Sequence, residues 1–328
     1  MASFNTILRQ VYPPTPEWSV DSISDLSGKV FVVTGGNAGI GKETCKQLLL
    51  KNGKVYLAAR SESKAQAAIE ELEKETGKKA IFLKLDLSDL DATKKSAQEF
   101  LEYVSTLPST GAWLSNRSLY HRKETKLNAL IANAGVMIPP VDQLTTQKFD
   151  LQFGTNVLGH FLFIRLLYPL LVSTTTPSDP SRIVWVASSM QYYFNPPLKY
   201  DWITDTEVRK KQDSWSLYMQ SKFATVQLAY ALQRELGDKD GIVVFSLDPG
   251  NIKSDLQRHN QNFIVGALVH DLPSPITHLV SNSSSVVPFH VMARGAWCSH
   301  AIVRRYRALR LTIQGKIPLS LGATRRAS

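Results

Sequence analysis

From residue 28 to about 250 the chain alternates short, nearly continuous apolar runs with longer segments in which apolar residues recur every three or four positions. The short runs are Val30-Phe31-Val32-Val33, Lys54 to Ala59, Ala80 to Leu85, Leu127 to Ala132, Arg182 to Ala187 and Gly241 to Leu247; each has strand length. The longer segments, Lys42 to Leu50, Lys64 to Thr76, Asp91 to Leu101, Lys148 to Leu171 and Trp215 to Leu236, predict helices, with Ser88 placed to cap the third. Strands that are apolar throughout and alternate with helices imply a parallel sheet covered on both faces and joined by right-handed crossovers. Residues 28–256 are therefore expected to form a single α/β domain, a doubly wound parallel sheet.

In such a sheet ligands sit beyond the carboxyl ends of the strands, so the residues that end each apolar run are the candidate site. The first run stops at Thr34-Gly35-Gly36-Asn37-Ala38-Gly39-Ile40-Gly41, and a helix follows. Strand, glycine turn and helix N-terminus form an anion site, because unpaired backbone N–H groups and the positive end of the helix dipole converge there. This is the Rossmann-type arrangement for a pyrophosphate. Thr34, Gly35, Asn37, Gly39, Ile40 and Gly41 are its candidate residues, although a glycine turn with no ligand accounts for them equally well when taken alone. The remaining ends are Arg60, Asp86-Leu87, Asn133-Ala134-Gly135, Ser188-Ser189 and Asp248-Pro249-Gly250, polar or glycine-rich stops expected on one rim. Arg60 stands where an NAD-binding chain carries an acidic residue for the ribose 2′-hydroxyl. A guanidinium there suits a 2′-phosphate and points to NADP(H).

Tyr218-Met219-Gln220-Ser221-Lys222 adds reaction chemistry. Residues four apart share a helix face, and an ammonium beside a phenol favours the phenolate, bringing a pKa of about 10 toward the range that general acid–base catalysis uses. Tyr-x-x-x-Lys alone is a common helical accident. Ser189, ending the fifth run, changes the odds by supplying a hydroxyl that can hold a carbonyl against the phenol. Asn156 lies in a helical, largely apolar stretch where asparagine is disfavoured, which marks either a task or a satisfied buried amide. The stretch from Met190 to Trp215 carries enough aromatic area to wall a pocket for a hydrophobic carbonyl or alcohol, or to pack a long loop.

A formal charge of +10 raises nucleic acid as a partner, but its distribution argues against it. Leu272 to Ser328 holds seven arginines and one lysine with no acidic residue, and the acid-free stretch Tyr103 to Arg122 adds Arg117 and Arg122, so two segments carry the whole excess. Cys45 and Cys298 lie far apart and outside any metal spacing; they read as reduced thiols, and no metal site is expected. The most apolar run, His160 to Val172, is short for a bilayer and contains Arg165, so a cytoplasmic chain with no membrane span is expected.

With these residues in hand the chain resembles the short-chain dehydrogenase/reductase family, and within it the retinol-dehydrogenase-like branch. The resemblance is carried by the glycine turn from Thr34 to Gly41, Asn133-Ala134-Gly135, Asn156-Val157-Leu158-Gly159-His160-Phe161, Val186-Ala187-Ser188-Ser189, Tyr218 with Lys222, and Pro249-Gly250. It implies that Tyr218 donates or accepts the proton, Lys222 lowers its pKa and holds the nicotinamide ribose, Ser189 rather than Ser188 positions the carbonyl, and Asn156 supports a relay water. It also implies that Asp86 and Leu87 flank the adenine, Asn133, Ala134 and Gly135 frame the cofactor, and Pro249 and Gly250 abut the nicotinamide. The implied function is an NADP(H)-dependent oxidoreductase acting on a hydrophobic aldehyde, ketone or the corresponding alcohol, with a homo-oligomer common in similar proteins. A catalytically silent NADP(H)-binding protein and a non-redox epimerase or dehydratase are the alternatives. Three segments stand outside the resemblance. Residues 1–27 read as a surface leader, 103–122 as an insertion, and 257–328 as a divergent basic tail that does not build the family's substrate lid and last strand.

Overall fold

The computed structural model describes residues 19–101, 103–105, 120–122, 124–250, 256 and 290–291. The expectations for the leader up to residue 18, for the middle of 103–122 and for nearly all of the tail after 256 lie outside these residues. The described residues belong to one compact unit, Met1–Val291, and a second unit, Met292–Ser328, lies outside them.

β1 (Val30–Thr34) is buried at every position, as a central strand of β-branched and aromatic residues should be. It leads through the glycine turn into α1 (Gly39–Leu50), β2 (Lys54–Ala59), α2 (Glu62–Thr76), β3 (Ile81–Lys84) and α3 (Leu90–Leu101). Gly77 ends α2 in the left-handed conformation, at φ 69°, which glycine adopts without strain. The cap of α3 is Asp89, whose carboxylate accepts from the N–H groups of Asp91 and Ala92 at 2.9 and 3.3 Å. Ser88, the expected cap, instead donates its hydroxyl to Asp86 at 2.6 Å. A short ribbon follows, β4 (Tyr103–Ser105) antiparallel to β5 (Tyr120–Arg122). Its pairing brings the two ends of the expected insertion side by side, in a sheet separate from the main one.

The chain then re-enters the main sheet with β6 (Ala129–Ala132) and continues through α4 (Leu151–Thr174), β7 (Arg182–Val186), α5 (Glu207–Lys210), α6 (Ser214–Leu232) and β8 (Val243–Asp248) to β9 (His290–Val291). The strand order is β3-β2-β1-β6-β7-β8-β9, with the first six parallel. The direction of winding reverses between β1 and β6, which is where a doubly wound sheet opens its crevice.

On the α1–α2 side Val33, Cys45, Leu49, Val55, Leu57, Ile69 and Leu72 form one cluster. Each such fully buried aliphatic side chain is worth roughly 1.5–3 kcal/mol. Side chains alternate along a strand, so Val32 and Thr34 face the opposite layer, where α3 and α6 pack against α4. α4 is longer than the apolar run suggested and long and apolar enough to cross a membrane, but 67% of its most apolar window is buried inside the fold. That burial is the mark of a core helix.

Two expectations are modified at the edges. Residues 19–27 are pinned to the turn between α1 and β2, with Leu26 N donating to Lys51 O at 2.7 Å and Asn52 Nδ2 to Asp25 at 2.6 Å. The edge expected to lie open beyond β8 is covered at one end, because β9 pairs antiparallel with it at Leu247↔Val291 and Asp248↔His290.

Candidate active site

The cradle is built first by exclusion. Gly35 and Gly39 have φ +66° and +51°, a region that other residues enter at a cost. A Cβ on Gly41 would lie 2.3 Å from Gly35 O and 2.5 Å from Asn133 Nδ2, so the start of α1 lies directly on the turn. Ala38, at the N-cap, gives no side-chain cap, and the first turn of α1 has no acidic residue. The N–H groups and the positive dipole end are thus left for an anion, which fits a pyrophosphate. Asn37 and Ile40 are half-buried in the same turn. Asn133 clamps the turn from the neighbouring strand end, its Nδ2 donating to Thr34 O at 2.8 Å and to Gly35 O at 3.4 Å.

Thr34 and His160 lock this cradle to α4. The Thr34 hydroxyl accepts from the N–H groups of Asn133 and Ala134, both at 2.9 Å, and lies 2.9 Å from His160 Nε2. His160 Nδ1 is 3.1 Å from the carbonyl oxygen of Asn156, which can only accept, so the imidazole proton belongs on Nδ1 and Nε2 takes the proton of Thr34. Burial pushes the His160 pKa down to about 4, which keeps the ring in that neutral tautomer. A histidine that is neutral when folded gives stability that is complete above its ordinary pKa of 6.5 and is lost as pH falls toward 4, up to roughly 3 kcal/mol. Asp150, which burial pushes up to about 6, works in the opposite direction over the same window. The expected result is therefore read as a difference. The stability gap between the wild type and His160→Gln should narrow as pH falls from 6.5 to 4 in urea titrations, and a pH-independent gap would refute the assignment.

The reacting groups gather at the carboxyl ends of β6, β7 and β8. α4 widens into a π turn at Gly154–Gly159, which carries Asn156. The Asn156 side chain accepts from Val136 N at 2.9 Å and donates to Val136 O at 3.0 Å and to Ser221 Oγ at 3.1 Å. These bonds tie the turn after β6 to α6. Lys222 donates from Nζ to Val186 O at 2.9 Å and lies 5.8 Å from the Tyr218 ring centre. Gly135 faces both, since a Cβ there would lie 3.3 Å from Asn156 Oδ1 and 4.0 Å from Lys222 Nζ. Gly159 is required for a different reason: a Cβ on it would lie 2.3 Å from the carbonyl oxygen of Leu87.

One expectation about this group changes. The phenol of Tyr218 is not drawn down by Lys222; burial pushes it up to about 12, opposed by a hydrogen bond from Ser188. Burial also pushes Lys222 down to about 8, which weakens its hold on the charge that was to act on the phenol. Ser188 and Ser189 follow the end of β7, and the Ser188 hydroxyl accepts from Met190 N at 3.2 Å.

The remaining candidates spread along the rim. Asp86 is half-buried and accepts from Ser88 N at 2.9 Å, and Leu87 is buried. Arg60 is exposed and makes no ion pair among the described residues. Pro249 is half-buried, and Gly250 is exposed with φ +78°. The aromatics divide between the two roles left open: Phe194 packs on Trp202 and Phe223 with ring centres 6.2 and 5.1 Å apart, whereas Trp215 sets its ring edge-on to Tyr218 at 6.4 Å.

Known proteins share this arrangement. A family model described as short chain dehydrogenase matches residues 29–108. A short-chain dehydrogenase/reductase of Armillaria gallica is 46% identical over 258 residues, covering 79% of this chain and 76% of the relative. The chain belongs to the short-chain dehydrogenase/reductase family. Another such protein, from Phomopsis amygdali, is 36% identical over 265 residues, covering 78% of this chain and 73% of its own. The fold recurs in the solved structure of an uncharacterized protein from Mycobacterium paratuberculosis, with a TM-score of 0.60 at 22% identity, covering 90% and 96% of the two chains. It recurs also in the Pseudomonas aeruginosa RhlG/NADP active-site complex, with a TM-score of 0.51 at 23% identity, covering 73% and 78%. As a short-chain dehydrogenase/reductase the chain places its glycine turn, asparagine turn, serine pair and Tyr-Lys helix around one crevice. His160 takes part in the site without having been singled out from the sequence. The available signal was that it is a titratable residue inside a quoted motif.

Proposed function

We propose that the chain is an NADP(H)-dependent oxidoreductase of hydrophobic aldehydes or ketones or the corresponding alcohols, of the retinol-dehydrogenase-like branch. The observation that carries this reading is the meeting of the buried Tyr218 phenol, a serine hydroxyl and Lys222 beside the glycine cradle. The cradle residues Gly35, Asn37, Gly39, Ile40 and Gly41 would hold the pyrophosphate. Asp86 and Leu87 would hold the adenine side, Asn133, Ala134, Gly135, Pro249 and Gly250 the nicotinamide side, and Lys222 the ribose. The reduced nicotinamide supplies the hydride when bound. A serine hydroxyl orients the carbonyl oxygen, and Tyr218 delivers a proton to it. A phenol pushed upward by burial keeps its proton at neutral pH, which favours reduction over oxidation. Trp215 against the phenol gives the oxygen an apolar border that suits a hydrophobic substrate. A homo-oligomer in the cytoplasm, with no nucleic-acid or membrane partner, completes the proposal. The test is oxidation of NADPH by the purified chain across a panel of hydrophobic aldehydes and ketones; no turnover on any of them would overturn it.

Arg60 decides the choice of cofactor in this reading. It ends β2 on the rim, exposed and without an ion pair among the described residues, so its guanidinium is available to a 2′-phosphate. A charge-assisted contact of this kind is worth about 1.5–3 kcal/mol, which corresponds to roughly 10- to 100-fold in selectivity. Arg60→Asp is expected to reduce the kcat/KM preference for NADPH over NADH by that factor. A wild type that uses both cofactors equally would remove the assignment.

A further inference from the structure

Between β6 and α4 the chain runs through Val136 to Val141, and side chains from α4, α5 and α6 grip this strap by its backbone. Asn156 holds both the N–H and the carbonyl of Val136, at 2.9 and 3.0 Å. Gln152 Oε1 accepts from Ile138 N at 3.0 Å, and the Ser214 hydroxyl donates to Pro139 O at 2.7 Å. The Arg209 guanidinium donates to Val141 O through both terminal nitrogens, each at 2.6 Å. Asn156, Gln152 and Arg209 are all buried. The strap they hold is not relaxed. Ile138 has φ +50°, a region that a β-branched residue rarely enters and keeps only where its surroundings over-determine the backbone.

Gln152 joins the strap to the start of the catalytic helix. Its Nε2 donates to Ser214 O at 2.8 Å, and because a backbone N–H only donates and a carbonyl only accepts, its two partners fix the amide in one orientation. Ser214 opens α6 one turn before Tyr218, on the same face, and the next residue, Trp215, sets its ring edge-on to the phenol. Ser214 is thus tied to the strap twice, through its carbonyl by way of Gln152 and through its own hydroxyl on Pro139. At the other end of the strap, Asn156 Nδ2 donates to Ser221 Oγ, whose hydroxyl donates to Tyr218 O at 2.8 Å. We propose that Gln152 is a positioning residue: by pinning the strained strap to the start of α6 it sets Trp215 against Tyr218, and so shapes the apolar border that selects a hydrophobic carbonyl. This rests on the oxidoreductase reading above.

Gln152→Met is the direct variant, since it keeps the length and the apolar stem of the side chain and removes both hydrogen bonds. Two readouts are expected to move. The Trp215 indole N–H resonance, assigned with Trp215→Phe, should shift or broaden in the NMR spectrum of the full chain. The kcat/KM preference for decanal over propanal should fall roughly tenfold, through KM for decanal, while the NADPH dissociation constant keeps its wild-type value. Ser214→Ala, which removes only the bond to Pro139 O, should change both in the same direction by less, and it replaces Gln152→Met should that variant not fold. An unchanged Trp215 resonance would overturn the proposal, and so would an unchanged preference, because a residue serving the fold alone lowers the urea midpoint and moves neither. If the wild type turned over no carbonyl, the oxidoreductase reading would fail, and the Trp215 resonance alone would decide this one.

Discussion

Replacing Tyr218 with phenylalanine is expected to abolish carbonyl reduction while NADPH still binds. The phenol is almost fully buried, 3% exposed, with the Trp215 ring edge-on to it. Phenylalanine keeps the ring contact and removes only the group that carries the proton. General acid catalysis by a placed side chain contributes roughly 10²- to 10⁴-fold, so kcat should fall by at least the lower figure. Lys222 keeps its bond to Val186 O and its place beside Gly135, so the cofactor side of the site is untouched. Loss of kcat with an unchanged NADPH dissociation constant is the result expected. A variant that kept its rate to within about tenfold would show that the proton comes from elsewhere.

The fold was legible because its signal is repetitive. Six apolar runs ended within one residue of where six parallel strands end, and a strand buried on both faces leaves few other readings. The site was legible as a set of strand ends, since a parallel sheet collects its carboxyl ends on one rim whatever the residues are. Orientation was not legible. The Ser188-Ser189 pair could be placed on the rim, but the turn Ser189–Tyr193, where Ser188 accepts from Met190 N at 3.2 Å, could not be read from the spacing of the motif. The pKa of Tyr218 is not legible from spacing for a related reason. Spacing four residues apart shows that the ammonium is near, but only burial shows that desolvation is the larger effect. His160 looked like part of an apolar helix, and its value to the site lies in a bond to Thr34 across 126 positions of sequence. The cap of α3 moved by one residue for a local reason, because the Ser88 hydroxyl is taken by Asp86.

Gly41→Ala is expected to produce the second large effect, and it separates the cradle from the catalytic group. The added methyl would lie 2.3 Å from Gly35 O and 2.9 Å from Gly35 C, both backbone atoms, and 2.5 Å from Asn133 Nδ2. Backbone cannot rotate out of the way as a side-chain tip can, so either α1 lifts from the turn or the turn moves. Overpacking of this kind costs about 1–3 kcal/mol of stability. The consequence for binding should exceed the consequence for folding, because the same movement withdraws the N–H groups of the turn and breaks the clamp from Asn133. A loss of NADPH affinity of about 100-fold, equivalent to roughly 2.7 kcal/mol, is expected by titration calorimetry. Gly28→Ala is the control: unlike Gly41 it has a positive φ, +76°, but open space around it, so it should show only the backbone cost and no loss of binding. A Gly41→Ala protein that bound NADPH like the wild type would mean that the pyrophosphate does not use this turn.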